Sequence, residues 1–253
     1  MRFELHCHTT ESDGTDTPAG VVARGAARDL ALFAITDHDT CTPGGGIRGV
    51  EISCDHPNGR TIHVLAYDRG GEWSVIENRL GALREARRNR LRVMQVKLEV
   101  RGIKIDIEPL LASGRAVGRP DLARLMIAGG YVTSMKEAFT RHLYDGGPVD
   151  VPHHALPLAD AIQLGRDAGA AMVLAHPHLY DHMGVEMIKQ YKLGVEAFYG
   201  AYDARERARW IELADSISVV CTGGSDSHSA DEQLGVEIPD DRGERILEWM
   251  SAR

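Results

Sequence analysis

No two cysteines of this sequence stand in a CxxC spacing, and no apolar run approaches the roughly 18 residues of a membrane-spanning helix. The four cysteines, Cys7, Cys41, Cys54 and Cys221, are scattered and read as reduced thiols rather than a disulfide framework. The opening MRFELHCHT has no apolar stretch of the kind a secretory leader needs, so the expectation is a soluble, cytoplasmic protein. Basic residues are in deficit: 29 Lys and Arg against 37 Asp and Glu give a formal charge of −8. Tight non-specific binding to duplex DNA comes from neutralising phosphates, and this balance argues against it. Small phosphorylated substrates stay open, because divalent cations in one site would offset the charge locally. The glycines Gly44, Gly45 and Gly46 do not form a P-loop, since the GK[ST] ending is missing. Internal repeats and low-complexity tracts are also lacking.

What the chain does have is a rhythm of short apolar runs. They fall at about residues 2–6, 31–36, 49–53, 61–66, 171–175, 194–199 and 217–222. Helical patterns or Gly/Pro-rich turns separate most of them, as from Pro18 to Leu30 with Val21, Val22, Ala26 and Leu30. Seven strands with interleaved helices predict an α/β fold with a parallel sheet, closed or nearly closed into a barrel. Residues 75–150 break the rhythm. A long helix is expected over Ser74–Arg101, then an apolar helix over Leu122–Ala128 and another over Ser134–Leu143. Ser134 is the expected N-cap, with Glu137 as its capping-box partner. This segment reads as a helical insertion between the fourth and fifth barrel strands, flanked by barrel segments 1–74 and 151–253.

Metal-type ligands follow or sit within these runs. His6 and His8 are two apart, so on a strand both imidazoles point the same way and can reach one ion. Asp13 and Gly14 follow in a turn that can fold a carboxylate back over the strand end. Thr36-Asp37-His38-Asp39 closes the second run, with His38 as ligand and Asp37 or Asp39 as acceptor for its other ring nitrogen. Glu51, between Val50 and Ile52, is either an edge-strand surface group or a carboxylate held inside by cations. His63 poses the same choice. His176 ends an apolar run at Pro177, and Asp226 with His228 repeats the two-residue spacing of the start. Gly223 and Gly224 would permit close approach of backbone to a ligand. Weaker substrate-contact candidates are His178 and the pair His153-His154.

Taken together and in this order, the motifs resemble the polymerase and histidinol phosphatase (PHP) superfamily. The resemblance rests on H-x-H with Asp13, TDHD (Thr36 to Asp39), Glu51, His63, AHP (Ala175 to Pro177) and GSDSH (Gly224 to His228). Gly118-Arg119-Pro120 and the helix from Ala138 to Arg141 further resemble small phosphoesterases of that superfamily acting on nucleoside mono- or bisphosphates or short RNA ends. The resemblance implies a distorted (β/α)7 TIM-like barrel with a helical insertion over the active site. It also implies three divalent ions: one on His6, His8, Glu51 and Asp226, one on Glu51, His63 and His176, and one on Asp13, His38 and His228. Imidazole and carboxylate without thiolate suit Mn²⁺, Zn²⁺ or Fe²⁺. One departure stands out. Where the family has a helix between TDHD and the glutamate strand, only Thr40 to Gly49 intervene here, a loop expected to open one side of the barrel.

The implied reaction is phosphomonoester hydrolysis by a hydroxide bridging two of the metals, with Glu51 and Asp226 at its centre. Arg119 is the expected phosphate ligand, and His178 or water the expected proton donor to the leaving oxygen. On the long helix, Arg84, Arg88 and Arg92 form one stripe with Arg87 and Arg90 to its sides. That stripe is either a solvated face or a grip for a second phosphate or a single-stranded RNA backbone. Alternatives are a histidinol-phosphate or other small-metabolite phosphatase and a non-catalytic metal-binding accessory module. An amidohydrolase fits less well, because the bridging position carries Glu51 rather than a lysine.

Overall fold

A computed structural model describes residues 1–152 and 155–252. The barrel begins with β1 (Arg2–Glu4), helix α1 (Pro18–Ala26), β2 (Leu32–Ile35), β3 (Ile47–Asp55) and β4 (Thr61–Tyr67). Next come α2 (Ser74–Glu99), α3 (Glu108–Ala112), α4 (Arg119–Ala128) and α5 (Met135–Ala138), the last running on into a π-type turn over Phe139–Leu143. The chain then returns through β5 (Leu156–Pro157), α6 (Leu158–Asp167), β6 (Ala171–Leu174), α7 (Asp181–Tyr191) and β7 (Gly194–Tyr199). It closes with α8 (Ala204–Ile217), β8 (Cys221–Gly224), β9 (Val236–Glu237) and α9 (Asp240–Ser251).

The sheet order is β8-β7-β6-β4-β3-β2-β1-β9, with β5 beside the end of β3. Beyond the strands proper, the chain after β1 meets the chain around β8. Leu5 N–H donates to Gly223 (3.2 Å), Asp226 N–H to His6 (2.7 Å) and His8 N–H to Ser227 (2.9 Å). The result is a nearly closed, distorted ring of seven strands, as the resemblance implied. Two features differ from the sequence reading. First, the sheet is mixed: β4 runs antiparallel to both β3 and β6. A hairpin needs no helical crossover, and the turn from His56 to Arg60 supplies the reversal. Second, β5 and β9 are short extra strands, and the seventh run starts late. Ile217 ends α8, and Ser218 takes a left-handed conformation (φ 58°) that stops the helix before the chain joins the sheet.

Local chemistry accounts for most of the elements. In α1, the Thr17 side chain caps the Gly20 N–H and Pro18 occupies the first turn, where no N–H is needed. At Ser134 the expected cap forms, its hydroxyl accepting from Glu137 N–H at 3.1 Å. The reciprocal bond is displaced by one residue, however, with Glu137 accepting from Thr133 N–H and its hydroxyl. Helix α2 serves two apolar cores. Ile76, Leu80 and Leu83 pack with the barrel strands, whereas Leu91, Met94 and Leu98 pack with Ile103, Ile107, Leu122 and Met126 of the following segment. Each such side chain contributes about 1.5–3 kcal/mol when buried. Among the described residues no helix is long and apolar enough to cross a membrane.

The loop before β3 does not open the barrel. β2 and β3 pair in parallel through Ala34–Ile47 and Ile35–Arg48, and the pairing continues at His38–Glu51. Gly45, at φ +85°, lies flat on Phe33, where an added Cβ would come 3.1 Å from both the ring and the carbonyl oxygen. Glycine thus replaces the missing helix, letting the loop cover Phe33 with backbone alone. Gly45→Ala is expected to lower stability by about 1–3 kcal/mol through backbone strain and contact. Gly59 has nearly the same φ, +84°, but open space around it. Gly59→Ala should therefore cost less in urea denaturation; equal losses would show that the packing on Phe33 is unimportant.

Candidate metal centre

Six imidazoles and three carboxylates converge at one rim of the barrel, in four overlapping groups of donor atoms. These are His8, Asp13, His38, His228; His6, His8, Glu51; His6, His176, Asp226; and His38, Glu51, His63. All nine ligand positions expected from the sequence are brought together. For β1 and β2 the side chains arrive from residues just past the strand, as a C-terminal rim predicts. For β3 and β4 they do not. Glu51 lies mid-strand, and His63 is the third residue of β4, which reaches the rim with its beginning because it runs backwards. Ser53 pairs with His63 and Glu51 with Leu65, so Glu51 and His63 are diagonal neighbours on one face.

Distances decide what the cluster can do. His6 Nε2 lies 3.4 Å from Glu51 Oε1 and 3.3 Å from Asp226 Oδ1. His8 Nε2 lies 3.3 Å from Glu51 Oε2 and 3.2 Å from Asp226 Oδ1. His63 Nδ1 and His176 Nε2 sit 3.1 and 3.0 Å from Glu51 Oε1. Around Asp13, His228 Nε2 is 3.3 Å from Oδ1 and His38 Nε2 is 3.7 Å from Oδ2. Donors each about 2.0–2.2 Å from an ion lie about 3.0–3.5 Å from one another, so most of these separations fit shared coordination. Among the described residues, the buried nitrogens His6 Nε2, His8 Nε2 and His38 Nδ1 have no hydrogen-bond partner although carboxylate oxygens are close. Lone pairs aimed at a common point, and not along N–H···O lines, are what a cation requires.

The supporting shell was partly missed from the sequence. Glu196, fully buried on β7, takes His6 Nδ1 at 2.8 Å and the His176 backbone N–H at 2.7 Å, so one carboxylate orients two candidate ligands. Its context, Gly194-Val195-Glu196, repeats Gly49-Val50-Glu51, so the pattern that singled out Glu51 was present there too. Glu4, also buried, accepts from the N–H groups of His6, Ser225 and Gly235 and from the Ser225 hydroxyl, which ties β1 to the end of β8. Gly224 lets these strands close, since a Cβ there would lie 2.5 Å from His6 Cβ and 2.8 Å from Glu4. Its close approach is to His6 and Glu4, not to a ligand. Tyr199 donates to Asp226 Oδ2 at 2.8 Å.

Asp37 and Asp39 have roles other than the expected one. Asp37 accepts from Thr9 N–H and from the hydroxyls of Thr9, Ser12 and Thr42. Asp39 accepts from Ser53 N–H and Arg87 Nε. The two His38 nitrogens face Glu51 and Asp13 instead. Backbone strain gathers here: His176 (φ 29°), Asp226 (φ 54°) and Asp39 (φ 50°) are all non-glycine residues in the left-handed region.

Above the cluster lies a cavity of about 610 Å³ whose walls include Asp13, His38, His63 and His176 together with Arg60, Arg87, Arg90 and Arg119. Phe139 also lines it, with the Arg119 guanidinium 5.7 Å from its ring centre. Of the two readings of the arginine stripe, the grip on a phosphate is not met. Arg88 and Arg92 of the predicted stripe bond Glu85, Gly114 and Asn89, and Arg84 bonds the Asp39 carbonyl; the off-stripe Arg87 and Arg90 face the cavity. His178 is not on the cavity wall. Its Nδ1 lies 3.0 Å from the Tyr202 hydroxyl. The pair His153-His154 falls outside the described residues.

An α/β barrel that gathers these donors at one rim under an arginine-lined cavity is the framework of a metal-dependent hydrolase. No family profile matches the sequence. It is, however, 31% identical over 254 residues to the 3′,5′-nucleoside bisphosphate phosphatase of Chromobacterium violaceum, spanning 91% of this chain and 88% of that one. It is 28% identical over 250 residues to the 5′-3′ exoribonuclease Rnm of Escherichia coli, spanning 89% and 85%. A solved structure assigned as a metal-dependent phosphoesterase from Bifidobacterium adolescentis matches with a TM-score of 0.83 at 25% identity, covering 99% and 96%. The chain belongs to the PHP-type family of metal-dependent phosphoesterases.

Burial alone would lower the pKa values of His6 and His8, but Glu196, Asp226 and Glu51 around His6, and Asp226, Glu51 and Asp13 around His8, raise both well above the usual histidine value. Asp13 shows the converse: burial would raise it, and His38, His228 and His8 hold it well below the carboxylate range. In metal-free protein the raised histidines stabilise the fold below the ordinary histidine pKa, a contribution lost as pH rises through their raised values. The lowered carboxylate contributes above its ordinary pKa and loses that contribution as pH falls through its lowered value. Coordination needs neutral imidazoles, so Mn²⁺ affinity should climb with pH across the neutral range and uptake should release protons into weakly buffered solution. An affinity independent of pH would contradict this.

Proposed function

We propose that this phosphoesterase hydrolyses phosphomonoesters of nucleotides: a nucleoside mono- or bisphosphate, or the phosphorylated end of a short single-stranded RNA. The observation that carries the reading is the cavity over the donor cluster. Its volume admits a nucleotide, its floor holds the candidate metal ligands, and its side wall carries guanidinium groups beside one aromatic ring. Burial first, then the neighbouring Arg119 and Arg87, lowers the Arg90 pKa to about 10. Arg90, Arg87 and Arg119 pair with Asp150, Asp39 and Asp145, so a substrate phosphate would share or displace these carboxylates. Phe139 offers a face on which a base can stack. The name of the Chromobacterium relative favours the same reaction on a nucleotide, and that of the Escherichia relative favours an RNA substrate, whose cleavage breaks phosphodiesters.

In this reading, residues 1–74 and 151–253 form the metal-binding barrel and residues 75–150 an insertion that caps it. Three divalent ions, Mn²⁺, Zn²⁺ or Fe²⁺, would be held by the nine ligands in the three sets expected from the sequence. Such ions activate water at neutral pH and polarise the phosphoryl oxygens. Arg119 would hold the phosphate in the cavity, with Phe139 fixing the plane of its guanidinium. Glu196 keeps His6 and His176 oriented, and Tyr199 holds one oxygen of Asp226 so that the other faces His6 and His8. Burial and the adjacent His176 lower the His178 pKa, which keeps that ring neutral near pH 7. Water is then the better proton source for the leaving oxygen, and His178, off the cavity wall and bonded to Tyr202, is left without the expected contact to substrate.

The test is phosphate release from AMP, a 3′,5′-nucleoside bisphosphate and histidinol phosphate with added Mn²⁺. Metal-dependent turnover of a nucleotide is expected, falling by about a hundredfold or more in Asp226→Ala. Arg119→Ala should raise KM about tenfold or more with a smaller change in kcat, the loss of one charged hydrogen bond to substrate. Preference for histidinol phosphate would overturn the nucleotide assignment while keeping the site. No turnover of any of the three by metal-loaded protein would remove it altogether.

A further inference from the structure

We propose that Asp121 is a positioning residue, which holds the loop bearing Asp13 in place through two arginines. Asp121 is the third residue of α4 and almost fully buried. Its Oδ2 accepts from Gly118 N–H at 2.8 Å, while Oδ1 receives Arg115 at 2.6 Å and Arg124 at 3.3 Å. Neither arginine stops there. Arg115 donates its other terminal nitrogen to the Ser12 carbonyl, and Arg124 does the same to the Asp13 carbonyl. One carboxylate thus anchors two guanidinium groups that grip consecutive carbonyls of the ligand loop. A backbone bond from Ala116 N–H to the Glu11 carbonyl (2.9 Å) runs alongside.

The loop is also held where Ser12 N–H and Gly14 N–H donate to the Thr9 carbonyl (3.1 and 3.0 Å) and Thr15 N–H to the His228 carbonyl (2.7 Å). It is the two arginines, however, that reach the Ser12 and Asp13 carbonyls. Ser12 reaches Asp37 at 2.5 Å and His8 Nδ1 at 3.4 Å, and Asp13 meets His228, His38 and His8 only through its side chain. Without Asp121, two like charges that share one partner oxygen would repel, and their outer nitrogens would leave the carbonyls. The carboxylate of Asp13 would then drift from His38 and His228. Capping of α4 is the simpler role for Asp121, but a cap requires only the Gly118 bond and not the two arginines. The clamp also links the Gly118-Arg119 turn at the cavity wall to the donor cluster, so the insertion and the barrel rim share one buried charge. The inference rests on Asp13 being a metal ligand, and the experiment separates the two ideas.

The experiment is titration of metal-stripped full-length protein with Mn²⁺, free ion being followed by its electron paramagnetic resonance signal and folding by circular dichroism. Asp121→Asn keeps an acceptor for Gly118 but loses the charge. It should weaken one Mn²⁺ equivalent about tenfold, the low end of what partners of metal ligands contribute, and leave the others unchanged. Asp121→Glu should recover most of this loss, which a purely structural role would not predict. The half-exposed Arg124 allows a second variant that folds readily. Arg124→Met removes a positive charge, so charge alone would tighten Mn²⁺ binding, whereas loss of the clamp weakens the same equivalent about threefold. Wild-type or tighter binding by Arg124→Met overturns the proposal. Asp13→Ala tells the two failures apart: if it loses an equivalent that Arg124→Met keeps, only the clamp is wrong. If Asp13→Ala binds every equivalent as wild type does, the ligand assignment falls and the clamp with it.

Discussion

One carboxylate among five imidazoles organises this protein. Glu51 Oε1 faces His6, His63 and His176, and Oε2 faces His8 and His38, all within 3.4 Å. Burial would push its pKa up, yet His63, His38, His6 and His176 together hold it well below the carboxylate range. A buried, unpaired carboxylate costs several kcal/mol, so β3 can carry Glu51 inward only if the surrounding chain delivers cationic or ion-binding partners. The barrel is what delivers them. β1, β4 and the ends of β2 and β6 each bring at least one imidazole to the same point.

That demand explains the irregular features of the barrel. β4 runs backwards in an otherwise largely parallel ring, which places His63 diagonal to Glu51 instead of at the far end of a parallel strand. The closure of β1 against the chain around β8 depends on Glu4 and on the absent side chain at Gly224, and it sets Asp226 against His6 and His8. Left-handed backbone at His176 and Asp226 is strain that neighbouring bonds hold in place: Glu196 grips the His176 N–H and the His6 carbonyl accepts the Asp226 N–H. Strain of this kind, about 1–3 kcal/mol per residue, is expected where side chains must aim at one point.

The segment after β4 adds the second half of the site's chemistry. Helix α2 is shared between two apolar cores, so its middle turns lie over the rim and carry Arg87 and Arg90 to the cavity. Arg87 also bonds Asp39 and Ser53, tying the helix to β3 and to the TDHD turn. Anion-attracting groups and cation-attracting groups therefore face each other across one space. A phosphoester needs both: the donors for its reacting phosphoryl group, and guanidinium for charge that remains.

The sequence by itself determined the nine candidate ligands, the seven-strand rhythm and the long interruption after residue 74. Each is a local signal, since residue type, two-residue spacing and apolar periodicity are read within a few positions. It did not determine the direction of β4, because a hairpin strand and a parallel strand carry the same apolar pattern. Nor did it determine which arginines face the cavity. On α2 the regular stripe Arg84, Arg88 and Arg92 was the conspicuous pattern, but helix rotation follows from burying Leu80, Leu83, Leu91 and Met94, and this turned Arg87 and Arg90 inward. The supporting carboxylates Glu4 and Glu196 were visible only as charges within apolar strands; several of their partners lie far away in the chain, His6 from Glu196 and Ser225 and Gly235 from Glu4. Local chemistry names the groups that can bind a metal. Only closure of the barrel decides which distant backbone and side chains hold those groups in place.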